Sequence, residues 1–164
     1  MTFGIRDYIK MLRKRGPRLP LAYFIENHWF DLRYGTDTHK WLPKQKFSER
    51  PPHYEHGVLY MASWASVIKS ATRFTLERFN IDPNDCQFVD IGCGKGKVLC
   101  VWHQLFEGSS AELVGIDYSA SLIDICKQNL DKLAAKDITL IHGDATTISL
   151  ENEKSYRIIY MYNP

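Results

Sequence analysis

Three glycines at alternate positions, Gly92, Gly94 and Gly96, separate the β-rich run CQFVDIG from the helical run GKVLCVWHQLF. A strand that passes through such a turn into a helix leaves few topologies open. Without side chains the turn can take positive φ and carry its amide N–H groups close to a ligand, at the carboxyl end of a parallel strand. The chain then repeats the alternation. AELVGID reads as a second strand, SLIDICKQNLDKLAAK as an amphipathic helix, ITLIHGD as a third strand and YRIIYMYN as a fourth. That order implies an α/β fold, a doubly wound, mainly parallel sheet with helices on both faces.

The second helix supports the assignment. Leu122, Ile125, Cys126, Leu130 and Leu133 fall on one stripe, Asp124, Lys127, Gln128 and Asp131 face away, and Ser119 stands where it caps the start. Ahead of the core, HGVLYMASWASVIKSATRFTLERF places Met61, Trp64, Ile68 and Ala71 at helical spacing, ending at Asn80 and the Asp-Pro-Asn-Asp turn of residues 82–85. Before Pro51-Pro52, a first helix ends at Gly16-Pro17, and an aromatic-rich stretch follows with no clean period, an irregular or short-helix lead-in. Residues 1–53 are therefore expected as this lead-in and 54–164 as the core.

Charge and cysteine usage narrow the class. Residues 1–20 hold six Lys/Arg against one acid, and residues 81–164 hold seven against twelve. The basic front could meet an acidic partner, nucleic acid or anionic lipid, while a solvated helix face is the plainer reading. Cys86, Cys93, Cys100 and Cys126 form no C-x-x-C pair and have no histidines at zinc-ligand spacing, so they read as reduced, mostly buried thiols and no metal is expected. No apolar run reaches the roughly 20 residues of a membrane span, and the N-terminus lacks a signal-peptide core, so a cytoplasmic location is expected.

Polar residues close each strand after an apolar run. Asp117 lies 25 residues beyond Gly92, where a carboxylate can accept from both hydroxyls of a ribose; Asp144 closes the third strand and Asn163-Pro164 the fourth. Each has a plainer reading: Asp90 and Asp117 as helix caps, Asp144 as a turn former, Asn163-Pro164 as a strand stop. Together on one sheet edge they point to a cofactor site. A dinucleotide site of the G-x-G-x-x-G kind would need glycine at position 97, which is Lys97, and no Walker-type G-x-x-x-x-G-K-[ST] occurs.

Val89-Asp90-Ile91-Gly92-Cys93-Gly94-Lys95-Gly96 resembles the first motif of class I S-adenosylmethionine-dependent methyltransferases, a Rossmann-like family. Val114-Gly115-Ile116-Asp117, His142-Gly143-Asp144-Ala145 and Tyr160-Met161-Tyr162-Asn163-Pro164 resemble its later motifs in order. With Phe30-Asp31-Leu32-Arg33-Tyr34-Gly35-Thr36-Asp37-Thr38 ahead of the core, the chain is similar to a small bacterial group lacking an assigned substrate. The resemblance implies that Asp90 and the turn Gly92, Cys93, Gly94 and Gly96 meet the methionine part of the cofactor. Asp117, with Tyr118 beside it, would take the ribose, Asp144 and Ala145 the adenine, and Tyr54 would close over the methionine end. Asn163 and Pro164 would carry the catalytic position nearest the transferred methyl.

The expected function is methyl transfer by in-line displacement to an unidentified small-molecule or protein acceptor, with nitrogen favoured because Asn163-Pro164 resembles the motif of enzymes that methylate planar nitrogens. The alternative is a non-catalytic adenosyl-cofactor binder. The family fold has seven strands and only four are counted here, so a C-terminal truncation is expected, leaving RIIYMY as an apolar edge.

Overall fold

The computed structural model describes residues 5–40, 60–151 and 153–162. Strands β1 (Cys86–Ile91), β2 (Glu112–Asp117), β3 (Ile138–His142) and β4 (Tyr156–Met161) form one sheet in the order β3-β2-β1-β4. All three pairings are parallel, with Val89 opposite Val114 and Ile159, and Asp117 opposite His142. The chain steps outward from β1 to β3 and then crosses back to the other side of β1. The direction reverses between β1 and β4, and that reversal is where doubly wound sheets open a crevice. This is the Rossmann-like arrangement the alternation implied.

The period-two pattern of each strand divides the apolar residues between two faces. On one face Phe88, Leu113, Leu140 and Ile158 pack with Ile68, Leu99, Trp102 and Cys126 from α4 (Ala65–Phe79), α5 (Lys97–Leu105) and α6 (Ala120–Lys132). On the other, Val89, Val114 and Ile116 are covered by Ala145, Ile148 and Leu150, which follow β3. Helices were expected on both faces. Among the described residues the packed helices lie against the first, and Ile159 and Met161 of β4 remain exposed on the second.

Helix α6 follows its sequence signals closely, with the Ser119 side chain accepting from the Leu122 N–H. Helix α4 is shorter than its apolar spacing suggested. Trp64 is extended (ψ 136°), so the helix starts at Ala65 and presents Ile68 and Thr72 inward. Met61 and Trp64 precede it because residues 60–63 are tied elsewhere: the Tyr60 hydroxyl donates to the Thr38 carbonyl (2.7 Å) and Tyr160 donates to Ser63 Oγ (3.1 Å). Thr72 earns its place by accepting from Trp102 Nε1 at 2.9 Å, which satisfies the one polar atom of the largest buried side chain.

The lead-in is more regular than its composition suggested. After α1 (Ile5–Arg15), α2 (Arg18–Tyr23), a π-helical segment (Phe24–Trp29) and α3 (Phe30–Tyr34) run almost without a break. Pro17 and Pro20 fall at or within the first turn, where a missing N–H costs no helical bond. Gly35, at φ +67°, ends the run with a left-handed cap that a side chain would strain. The expected boundary at residue 53 lies outside the described residues.

Candidate functional site

The turn after β1 is folded back onto β2. The Gly92 and Cys93 N–H groups both donate to the Ile116 carbonyl (2.9 Å each), the Gly94 N–H donates to Asp117 Oδ2 (2.8 Å) and the Gly96 N–H to the Cys93 carbonyl (2.8 Å). These amides, expected to face a ligand, are spent inside the protein. The glycines are needed for another reason. Gly94 has φ +53°, and a Cβ there would sit 2.2 Å from Tyr60 Cε2; Gly96 has φ +81°, and a Cβ would sit 2.4 Å from Cys126 Sγ. The turn is thus a cradle against which a tyrosine and a thiol pack directly.

Asp90 stands beside this turn at the end of β1. Its side chain is buried, and its Oδ2 has no hydrogen-bond partner among the described residues. Burial raises its carboxyl to about 8, and the charge of nearby Asp117 adds to the shift. Asp117 is satisfied instead: it accepts from Gly94 N–H and, through Oδ1, from Ser119 N–H at 2.9 Å. One carboxylate is built into the turn, and the other is left open towards the crevice.

The crevice is lined by Tyr60, Ser63, Asp90, Gly92, Lys97 and Tyr160, among others. Its cavity is about 20 Å³, room for one water-sized sphere. Any larger ligand requires Tyr60 and its segment to move. Lys97, the first residue of α5, is 2% exposed, donates to the Glu26 carbonyl (3.1 Å) and lies 3.5 Å from the Phe30 ring centroid. No carboxylate pairs with it among the described residues. Burial lowers it to about 8, against the opposing charge of Asp31. Sequence read Lys97 only as the residue that excludes a dinucleotide motif. A lysine where glycine or an apolar residue would open an apolar helix was the available signal.

Phe30–Thr38, noted only for its likeness, proves to be a buttress. Asp31 is buried and accepts from Thr36 Oγ1 and Thr38 Oγ1 (2.6 Å each), from the Thr38 and His39 N–H groups (2.9 Å each) and from the His39 ring. Burial alone would push its carboxyl up, but the His39, Thr36 and Thr38 hydrogen bonds together hold it well below the usual range. Asp37, His39 and Asp31 bring ligand-type atoms within 4.8 Å of one another; the His39 bonds to Asp31 and the Lys95–Asp37 pair account for the cluster. The knot reaches the turn by two routes, one direct and one through Asn129. Asp37 pairs with buried Lys95 (3.2 Å), the Asp37 N–H donates to Asn129 Oδ1 (2.8 Å), and Asn129 Nδ2 donates to the Lys95 carbonyl (2.9 Å).

Of the remaining expected residues, Cys93 also lines the crevice, while Tyr118, Asp144 and Ala145 follow β2 and β3. Cys93 is buried, with its thiol raised chiefly by a hydrogen bond to Cys126 and then by burial. The Tyr118 carbonyl lies 3.0 Å from His142 Nε2. Asp144 accepts from Thr146 N–H (2.9 Å) and Oγ1 (2.7 Å), the bonding of a turn former, with Ala145 packed under the second sheet face. Tyr54, Asn163 and Pro164 lie outside the described residues. Tyr60 packs directly over Gly94.

No helix among the described residues is long and apolar enough to cross a membrane. Residues 82–160 match the family model described as a methyltransferase domain. Among curated relatives, a carboxy-S-adenosyl-L-methionine synthase of Shewanella piezotolerans is 31% identical over 71 residues, 43% of this chain and 29% of that protein. A demethylmenaquinone methyltransferase of Oceanobacillus iheyensis is 26% identical over 83 residues, 51% of this chain and 34% of that one. The matches thus span about a third or less of the relatives' length. Among solved structures, the plantazolicin methyltransferase BpumL in complex with SAH superposes with a TM-score of 0.45 at 24% identity, over 57% of this chain and 33% of that one. Over residues 82–160, with their parallel sheet and glycine cradle, the chain is similar to methyltransferase domains.

Proposed function

We propose that the chain binds S-adenosylmethionine at the crevice between β1 and β4 and transfers its methyl group to an acceptor held there. One observation carries the reading: at the switch point of the sheet, buried Asp90, whose Oδ2 has no hydrogen-bond partner among the described residues, lines the same crevice as buried Lys97, whose ammonium meets the Glu26 carbonyl and the Phe30 ring but no carboxylate among those residues. A buried carboxyl and a buried ammonium at one crevice suit a zwitterion, which is what the amino-acid end of this cofactor presents, its ammonium drawing Asp90 into the charged form. The residues fit that end of the group.

When bound, the cofactor supplies a methyl group on a sulfonium, so the protein's contribution is orientation and exclusion of water. Asp90 would accept from the ammonium, Lys97 would donate to the carboxylate, and Gly92, Gly94 and Gly96 would keep the wall free of side chains. Asp117 would add ribose hydroxyls to the two amides it already holds, with Tyr118 alongside. Asp144 and Ala145 would flank the adenine. Tyr60, displaced on entry and restored by its bond to Thr38, would cover the methionine end. Asn163-Pro164 supports a planar nitrogen acceptor, and the lead-in, joined to the turn through Asp37, Asn129 and Lys97, would form one wall of the acceptor side.

The test compares S-adenosylhomocysteine with 5′-methylthioadenosine, which lacks the amino-acid end. Asp90→Ala and Lys97→Met should each weaken the first by about tenfold or more and leave the second unchanged, because a hydrogen bond to a charged group is worth about 1.5–3 kcal/mol. Equal loss for both ligands would make these residues structural, and binding of neither ligand to the folded wild-type chain would overturn the proposal.

A further inference from the structure

Helix α1 turns its apolar stripe to water. None of its residues is buried, and Ile5, Ile9 and Leu12, one stripe at i, i+4 and i+7, are 80%, 43% and 49% exposed. The helix is held from its other side, where the Tyr8 ring meets Tyr23 (5.9 Å between centroids) and His28 (6.0 Å). A row of bases, Arg6, Lys10 and Arg13, runs beside the stripe, and Lys14 and Arg15 follow. The single acid of this region, Asp7, lies towards the Tyr8 side and is only half exposed. Leu21, Ile25, Trp29 and Leu32 of the next helical run are exposed as well. Large aliphatic side chains left in water beside a cationic row mark a surface with a partner.

We infer that α1 lies on an anionic membrane surface, with Ile5, Ile9 and Leu12 among the headgroups and the basic row against the lipid charges. Charge complementarity selects this occupant. Residues 1–20 carry six Lys/Arg against one acid, while residues 81–164 carry seven against twelve, so the chain's excess positive charge is concentrated at α1, where an anionic surface attracts it. A second copy meeting stripe to stripe would bring two cationic rows together. Nucleic acid would pair with the bases and leave the aliphatic stripe in water. An amphipathic helix with bases flanking an aliphatic face satisfies both requirements at a lipid interface.

The experiment is co-sedimentation of the purified chain with vesicles of phosphatidylcholine alone or mixed with phosphatidylglycerol. The chain should bind the mixed vesicles, ignore the neutral ones and be released by salt. Ile9→Asp with Leu12→Asp should abolish binding while leaving far-UV circular dichroism unchanged and lowering the thermal midpoint by at most a few degrees, since both side chains are about half exposed. Lys10→Glu with Arg13→Glu should weaken it at least tenfold. Three results would overturn the inference: no binding to anionic vesicles, binding insensitive to both pairs of substitutions, or a stripe-dependent dimer without vesicle binding. Loss of RNA binding with the charge pair alone, in a chain that ignores vesicles, would assign the face to nucleic acid.

Discussion

Replacing Gly94 by alanine strikes the cradle at its tightest point. At φ +53° a side chain costs about 1–2 kcal/mol of backbone strain. The new Cβ would lie 2.2 Å from Tyr60 Cε2 and 2.5 Å from Cδ2, so the ring must leave the turn. That displacement breaks the 2.7 Å bond from the Tyr60 hydroxyl to the Thr38 carbonyl, worth about 0.5–1.5 kcal/mol, and uncovers ring surface worth about 1 kcal/mol more. The substitution should therefore cost about 3 kcal/mol in the wild-type background. In Tyr60→Ala the collision is gone and only the strain remains, about 1–2 kcal/mol. Urea unfolding of the four proteins measures the coupling, expected at about 1–2 kcal/mol. Additive costs would refute the reasoning, because Tyr60 would then not rest on Gly94 in solution.

Asp90 gives a pH signature. Its carboxyl, near 8 when folded and near 3.8 when unfolded, lets the folded state hold the extra proton between those values, so this group's contribution to stability falls as pH rises towards 8. Thermal midpoints between pH 6.5 and 8 should drop less in Asp90→Asn than in wild type; parallel profiles would contradict the burial argument. Lys97, near 8 when folded against 10.5 unfolded, acts oppositely, the unfolded state binding more protons above pH 8. Lys97→Met should flatten the rise in stability from pH 8 towards 10.5 and leave stability at pH 7 equal or higher, since it removes a buried charge that has no carboxylate partner among the described residues. Asp31→Ala leaves two hydroxyls and two amides without their acceptor and should cost about 3–5 kcal/mol by urea unfolding, against less than about 1 kcal/mol for exposed Asp124→Ala.

Local signals carried the sheet and its helices because each element declares itself within a few residues. The glycine turn, the Ser119 cap and the strand–helix alternation of residues 86–142 need no distant partner to be read. The start of α4 is different. Residues 60–64 have helical spacing, yet bonds to Thr38 and Tyr160, 22 and 97 residues away, hold them out of the helix. The same separation hid most of the crevice. Asp90, Gly94 and Asp117 stand in recognisable motifs, whereas Tyr60, Ser63 and Lys97 become neighbours only once the lead-in folds against α5. The Asp31 knot was visible as a motif and silent as to purpose, because its purpose is to brace Lys95 and Tyr60 from another part of the chain. Asn129 fell on the inward stripe of α6 for the same reason: its amide bridges Asp37 and the Lys95 carbonyl, and that partnership offsets the cost of burying it.

Calorimetric titration of the folded chain with S-adenosylhomocysteine, beside Asp90→Ala, tests the central claim most directly. The account predicts saturable one-to-one binding in the micromolar range, weakened at least tenfold by the substitution. No heat of binding from a chain shown to be folded, or binding that Asp90→Ala leaves unchanged, would contradict it.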